Sequence, residues 1–262
     1  MSKLYNAIAK CQHGRINQLM PTADLTYVDN DGNTLLIWAA MHKTAGTARN
    51  LLNTLQIDAS IANKHGQTAL IMACKNNYND LANDIIAAGN CNPGQVDCDG
   101  NTALIYACQN CMHDTAMSLL YGHNANPHHN DNNGNTALYY CTDELYDVAM
   151  RLIQHYDANP GYINNKESTC LINACIHNNI IMADLLIDCD NANHGHVDNI
   201  GMTALMWLCY NSYNVADREP IAVKLVKSGK SNYGYNNNAA RMIAQKNGYH
   251  AVVAAIDELE HA

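Results

Sequence analysis

The densest run of metal-ligating side chains is Cys108-x-x-Cys111-x-His113, with His123, His128 and His129 a short way downstream. Thiolate sulfur and imidazole nitrogen are the donors that tetrahedral zinc takes, so a fourth ligand from those histidines would close a site. Zinc sequences ordinarily carry a second ligand pair at a defined spacing, and this is the single C-x-x-C in the chain. No metal and no cofactor is therefore expected. Catalytic chemistry finds as little support. There is no G-x-S-x-G, no H-E-x-x-H, no G-x-G-x-x-G and no phosphate-cradling glycine loop. The carboxylates are scattered along the chain rather than gathered. No catalytic residue is expected, and the chain is read as non-enzymatic.

Composition narrows the classes further. Of 262 residues, 15% are charged and 48% hydrophobic, and the 37 asparagines make the surface polar but weakly charged. A formal charge of −9 argues against nucleic acid, because affinity for phosphates rests on Lys and Arg. The first twenty residues break their apolar run with Lys10, Gln12, His13 and Arg15, so no signal-peptide core forms. The longest apolar stretch, Leu35 to Met41, is far short of the ~20 residues that span a bilayer. Eleven cysteines without a leader fit free thiols in a reducing compartment, so a cytoplasmic protein is expected, with nuclear entry left open. Fifteen tyrosines stand beside no phenylalanine, which composition alone does not explain.

The elements that position these residues repeat. A short element recurs as DNDGNTLL (29–36), NKHGQTAL (63–70), DCDGNTAL (97–104), DNNGNTAL (131–138), NKESTCL (165–171) and DNIGMTAL (198–205). Its threonines, Thr34, Thr68, Thr102, Thr136, Thr169 and Thr203, are 34, 34, 34, 33 and 34 residues apart. Within each period D-x-x-G-x-T reads as a turn, with Asp or Asn bonding its own backbone and Gly supplying positive φ. The threonine stands at a helix N-cap. A short helix follows, then a polar break, then a second helix with paired aliphatics such as Leu51–Leu52, Ile85–Ile86 or Leu119–Leu120. Asn-Pro ends three of the units, at Pro93, Pro127 and Pro160.

This pattern resembles the ankyrin repeat over essentially the whole chain. The family motif D-x-x-G-x-T-P-L-H-x-A-A appears as DCDGNTALIYAC (97–108) and DNIGMTALMWLC (198–209). The family's Pro is Ala, Leu or Cys here, and its His is Ile, Tyr or Met, so dispersion packing is expected in place of the histidine's inter-repeat hydrogen bonds. Glu167 stands where the turn glycine belongs, which predicts a strained or reshaped turn. About five extra residues fall between the helices of the sixth unit, around Asn211–Pro220. The resemblance implies an all-α solenoid: capping helices over 1–28, six repeats (29–62, 63–96, 97–130, 131–163, 164–197 and 198–236), and a capping repeat over 237–262. That leaves no segment for an appended catalytic domain.

Cys74, Cys108, Cys175 and Cys209 lie six residues after the motif threonine, where the family has a small core residue, with Ala40 and Thr142 completing the ladder. Four residues after the threonine stand Trp38, Met72, Tyr106, Tyr140, Asn173 and Trp207. The resemblance places this row on the concave side, where Trp and Tyr serve as interface anchors. The finger positions, Asp31, Asn33, His65, Gln67, Asp99, Asn101, Asn133, Asn135 and Met202 foremost, are those that contact partners in the family. The expected function is a protein-protein interaction module that binds a polypeptide, with no nucleic-acid, membrane or small-molecule ligand. By association the repeats point to an adaptor or inhibitor of viral or microbial origin directed at a host. The alternatives are a structural subunit of a larger complex and, more remotely, a metal or enzymatic role for Cys108, Cys111 and His113.

Overall fold

The computed structural model describes residues 3–20, 24–53, 57–122, 124–210, 212 and 214–261, without the side chains of His13, Asn17 and Asn237. Parts of the expected N-terminal cap (1–2, 21–23), of the first repeat (54–56) and of the last cap (262), together with His123, Asn211 and Tyr213, lie outside the described residues. The described chain is helical, with one isolated bridge between Val197 and Thr203 in place of any strand. It divides into two compact units, residues 1–132 and 133–262.

The first unit holds four helix pairs: α1 (Lys3–Ala9) with α2 (His13–Leu19), α3 (Leu35–Met41) with α4 (Ala45–Asn53), α5 (Ala69–Lys75) with α6 (Asn79–Ala88), and α7 (Ala103–Gln109) with α8 (His113–Tyr121). The second holds α9 (Tyr146–Tyr156), α10 (Cys170–Ile176), α11 (Ile180–Asp188), α12 (Ala204–Tyr210), α13 (Val215–Lys227), α14 (Tyr235–Asn247) and α15 (His250–Glu260). Within each unit first helices pack on first helices and second on second, as α3 on α5 on α7, and α10 on α12 on α14. The core lies between the two layers, filled by small and aliphatic side chains. Ala40, Cys74, Cys108, Cys175 and Cys209 are fully buried in it. Burial pushes the thiols of Cys175 and Cys209 up to about 12, which keeps them protonated and unreactive.

Each helix start is written locally. Thr34, Thr68, Thr102 and Thr169 have extended backbone, and each hydroxyl accepts the N–H three residues on at 3.2 Å. Thr203 does the same toward Met206. The turn glycines Gly66 and Gly100 have φ of +73° and +77°, and a Cβ there would come within 2.6 Å of Val96 O or 2.5 Å of Asn132 Oδ1. Neighbouring fingers are stitched by backbone hydrogen bonds: Lys64 N to Asp31 O, Cys98 N to His65 O and Asn132 N to Asp99 O in the first unit, and Asn165 N to Asn133 O in the second.

The structure departs from the sequence expectation in three places. After Thr136 there is no α-helix but two 3₁₀ turns, Leu138–Tyr140 and Asp143–Leu145, and Thr142 is half-buried rather than part of the core ladder. The cause is a second helix start inside the element: Thr142 is extended and is followed at once by Asp143 and Glu144, residues that favour a helix N-terminus. The loop expected to reach Pro220 ends earlier, because α13 begins at Val215 and carries Pro220 inside it. Pro220 has no N–H to donate to the carbonyl of Ala216 four residues back, and Ala216 is exposed. At Glu167 the turn is strained, as one of the two expected alternatives had it, and not reshaped: at φ +55° its N–H still donates to Asn164 O at 3.0 Å. Finally, side-chain amides link neighbouring first helices in addition to dispersion. Asn110 Nδ2 donates to Cys74 O at 2.8 Å, and Asn247 Nδ2 to Cys209 O at 2.9 Å.

Candidate functional site

The finger and the first helix that follows it form one hydrogen-bonded piece. The finger's opening residue uses one side-chain oxygen to close the turn: Asp29 Oδ1 accepts from Asp31 and Asn33 N–H, Asp97 Oδ1 from Asp99 and Asn101, Asp198 Oδ1 from Ile200 and Met202. The second oxygen reaches nine residues ahead. Asp29 Oδ2 accepts Trp38 Nε1 at 2.7 Å, Asp97 Oδ2 accepts the Tyr106 hydroxyl at 2.9 Å, and Asp198 Oδ2 accepts Trp207 Nε1 at 2.8 Å.

Where the opening residue is Asn, the pairing changes in a chemically consistent way. Asn63 and Asn164 still accept turn N–H groups on Oδ1, but the amide nitrogen donates instead, to Asn33 Oδ1 at 2.8 Å and to Asn135 Oδ1 at 2.7 Å. A Trp or Tyr donor aimed at that nitrogen would meet another donor. The row residues in those two repeats are Met72 and Asn173. The aromatic row thus tracks the acceptor beneath it.

This placement changes what the row offers. Met72 and Tyr106 are buried, as are Asn33, Asn101 and Asn135. These residues are expected partner contacts, and the structure gives three of them scaffold bonds: Asn33 and Asn135 accept the inter-finger amide bonds, and Tyr106 donates to Asp97. Trp38, Tyr140 and Trp207 are half-buried, as are Gln67 and Met202, whereas Asp31, His65, Asp99 and Asn133 are exposed at the fingertips. Tyr140 is within 2.7 Å of Asn135 Nδ2 and accepts from it.

The electrostatics follow the same contacts. Burial alone would raise the Asp29 carboxyl, but hydrogen bonds from Asn33, Trp38 and Asp31 outweigh it and hold the group below its usual range. Burial, reinforced by Asp97, pushes the Tyr106 hydroxyl up to about 12 against the pull of Lys75. Lys75 Nζ lies 3.0 Å from Asp99 Oδ2 and 5.3 Å from the Tyr106 ring centroid, so its charge is spent inside the first unit. Trp38 is stacked on His42 with centroids 4.8 Å apart and meets Tyr5 edge-on at 5.4 Å.

The Cys108, Cys111 and His113 constellation is not assembled as a metal centre. Cys108 points into the core, His113 Nδ1 lies 3.2 Å from Asp114 Oδ1, and no group of three ligating side chains occurs among the described residues. His129 and His196 instead serve the fingers, with Nε2 at 3.0 Å from Gly100 O and 2.8 Å from Glu167 O.

Sequence reasoning passed over the seventh position after the motif threonine. In the second unit it carries Ile176, 40% exposed, and Tyr210, 62% exposed, and a further isoleucine, Ile200, is 67% exposed at a fingertip. No local sequence signal marks these residues, because whether a short helix's last side chain is covered depends on how its neighbours pack.

No helix among the described residues is long and apolar enough to cross a membrane. No curated protein matches this chain in sequence. Among solved structures it is similar to the human ASB11 ankyrin repeat domain, with 19% identity, a TM-score of 0.63, and coverage of 93% of this chain and 98% of that one. It is also similar to a chain in the complex of a predatory endopeptidase from Bdellovibrio bacteriovorus with an immunity protein, at 27% identity and a TM-score of 0.57, covering 70% of this chain and 95% of that one. The family model for ankyrin repeats in three copies matches residues 4–90 and 72–163, more than half of the 262 residues, and with the capped fingers and paired helices above it, the chain belongs to the ankyrin repeat family.

Proposed function

We propose that the chain is a non-enzymatic interaction module that binds a polypeptide partner through the exposed side of its first helices and its fingertips. The observation that carries this reading is the apolar surface of the second unit, where Tyr210 and Ile176 stand exposed beside half-buried Trp207. Large apolar side chains grouped on a surface mark interaction sites more often than scattered ones do. Two further observations support it. Ankyrin repeats generally mediate protein-protein interaction. The fingers are also locked before any partner arrives, by the carboxylate and backbone bonds described above, so little ordering entropy is lost on binding. A cytoplasmic adaptor or inhibitor, taking a protein rather than nucleic acid or a small molecule, is the finer form of the proposal.

The test is a set of matched pull-downs with every bait checked for folding by circular dichroism. Trp38, Tyr106 and Trp207 are poor choices for truncation, since each donates to a finger carboxylate. Better are the exposed fingertips (Asp31→Ala, His65→Ala, Asp99→Ala), the exposed apolar pair (Ile176→Ser, Tyr210→Ser), and a second-helix control, Ile181→Ser. Loss of a partner on either of the first two sets and not on the control is the expected result. A partner lost only on the control would move the site to the second helices and sink the reading.

A further inference from the structure

The second unit segregates its charge between layers. Its first helices α10, α12 and α14 contain no Asp or Glu, whereas its second helices contain Asp184 and Asp188 (α11), Asp217 and Glu219 (α13), and Asp257, Glu258 and Glu260 (α15). In a chain with a formal charge of −9, this face is one that presents no helical carboxylate. Asp198 beneath it is buried, with one oxygen on the Trp207 indole and the other on the turn. Lys166 and Glu167 sit side by side on one fingertip and offset each other. Lys246 is exposed near the end of α14 and enters no ion pair among the described residues.

Register fixes the order of these groups. Asn247 Nδ2 bonds Cys209 O just as Asn110 Nδ2 bonds Cys74 O, so Lys246 takes on α14 the place that Tyr210 takes on α12 and Ile176 on α10. Across three neighbouring first helices the exposed row therefore reads apolar, apolar, cation. Packed helices stand ~8–10 Å apart, and two turns of an α-helix advance ~10.5 Å. The second spacing lies just above the first, close enough for long side chains to span the difference.

The geometry points to an amphipathic helix laid across α10, α12 and α14, with apolar side chains two turns apart and a carboxylate two turns further on, as the partner of this face. The inference rests on the polypeptide-binding reading and adds the partner's form and charge. Apolar anchors would cover Ile176 and Tyr210 against the edge of Trp207, and the carboxylate would meet Lys246. A partner carrying lysine or arginine at the third place is disfavoured there and drawn instead toward the acidic second helices.

The experiment is a phage-displayed library of 20-residue helical peptides in an Ala/Gln host, randomised at three positions spaced by seven residues and selected on the full chain. Leu, Ile, Phe or Trp at two adjacent positions, with Asp or Glu at the outer one, is the expected outcome. Selected peptides are expected to bind the folded Ile176→Ser/Tyr210→Ser variant at least about tenfold more weakly, and Lys246→Glu is expected to invert the preference at the acidic position. Selection of Lys or Arg there, or undiminished binding to the double variant, overturns the inference while leaving polypeptide binding intact. If no library member is retained while the wild-type bait still captures a protein through the exposed face, the helical form is wrong. If the chain captures no polypeptide in either format, the proposed function fails with it.

Discussion

The two units are built from the same helix pair and expose different chemistry. At the third finger position the first unit has Asp31, His65 and Asp99, and at the seventh position after the threonine it has Met41, Lys75 and Gln109. There Lys75 is tied to Asp99, so charge meets charge within the unit. The second unit has Asn133, Lys166 and Ile200 at the fingertips and Asp143, Ile176 and Tyr210 at the seventh position, the last two on α10 and α12. The units diverge in surface chemistry at the fingertips and the seventh helix position, while the threonine caps and the finger hydrogen bonds are common to both. A repeat scaffold separates the residues that hold it up from those that face outward, and the comparison between units makes the second set visible without any alignment.

The second unit also carries a buried cation that the first does not among the described residues. Arg218 is 2% exposed, and its guanidinium donates to Asn178 Oδ1, Cys175 O, Trp207 O and Leu208 O. Those carbonyls close the C-terminal turns of α10 and α12, where a positive charge is favourable. Removing the side chain leaves several buried acceptors unpaired, so Arg218→Ala is expected to cost about 3–5 kcal/mol. Hydrogen exchange should show protection lost in residues 133–262 and retained in 1–132. Equal loss in both units would break the comparison.

A smaller effect tests the link between finger and aromatic. Asp198→Asn puts an amide donor against the Trp207 indole donor and should cost about 1–3 kcal/mol by urea unfolding. The double change Asp198→Asn/Trp207→Met reproduces the Asn63 and Met72 combination already present in the first unit, and it should recover part of the loss. Additive costs in the double-mutant cycle would show that the two positions are independent.

How far this was legible depends on whether the cause is local. The six threonines, the turn glycines and the cysteine ladder recur with the period, so spacing revealed the repeat, and the likeness of its motif to the ankyrin repeat implied the fold. The break after Thr136 was missed because Thr142 followed by two acids competes with the same stretch as a rival helix start. The roles of Trp38, Tyr106 and Trp207 were half-read: their row was found, but the acceptor lies nine residues back, in the turn. The tyrosine excess becomes partly intelligible for the same reason. Buried Tyr5 places its hydroxyl 2.9 Å from the carbonyls of Tyr27 and Asn33, and buried Tyr106 donates to Asp97, contacts that phenylalanine could not make. Ile176 and Tyr210 went unnoticed because exposure of a helix's last residue is a property of the packed stack.

Glu167 offers a gain rather than a loss. Its φ of +55° is a conformation that glycine adopts freely and that side chains with a Cβ resist. Since the turn bonds are already in place, Glu167→Gly should stabilise the second unit by about 1 kcal/mol, read as a raised thermal midpoint. Partner binding at the neighbouring first helices should be unchanged, and a midpoint that falls would mean the carboxylate has a structural task of its own.

The smallest expected effect belongs to the first unit and depends on pH. His42 is stacked on Trp38, and burial lowers its pKa below the ordinary imidazole value of about 6.5. Native protein therefore keeps the ring neutral at pH values where the unfolded chain already takes up a proton. Because the unfolded state binds more protons in that window, stability should fall as pH drops below about 6.5 and level off once the native ring also titrates. Asp29, held below its ordinary range, stays ionised through this window and loses its contribution only in stronger acid. Thermal midpoints of wild type and His42→Gln between pH 7.5 and 5 separate the two groups. The wild-type curve should slope and the variant's should be flatter, with the change seen in exchange protection of residues 1–132. A variant that keeps the full slope would assign the pH dependence to other histidines and leave the stacked pair without a part in it.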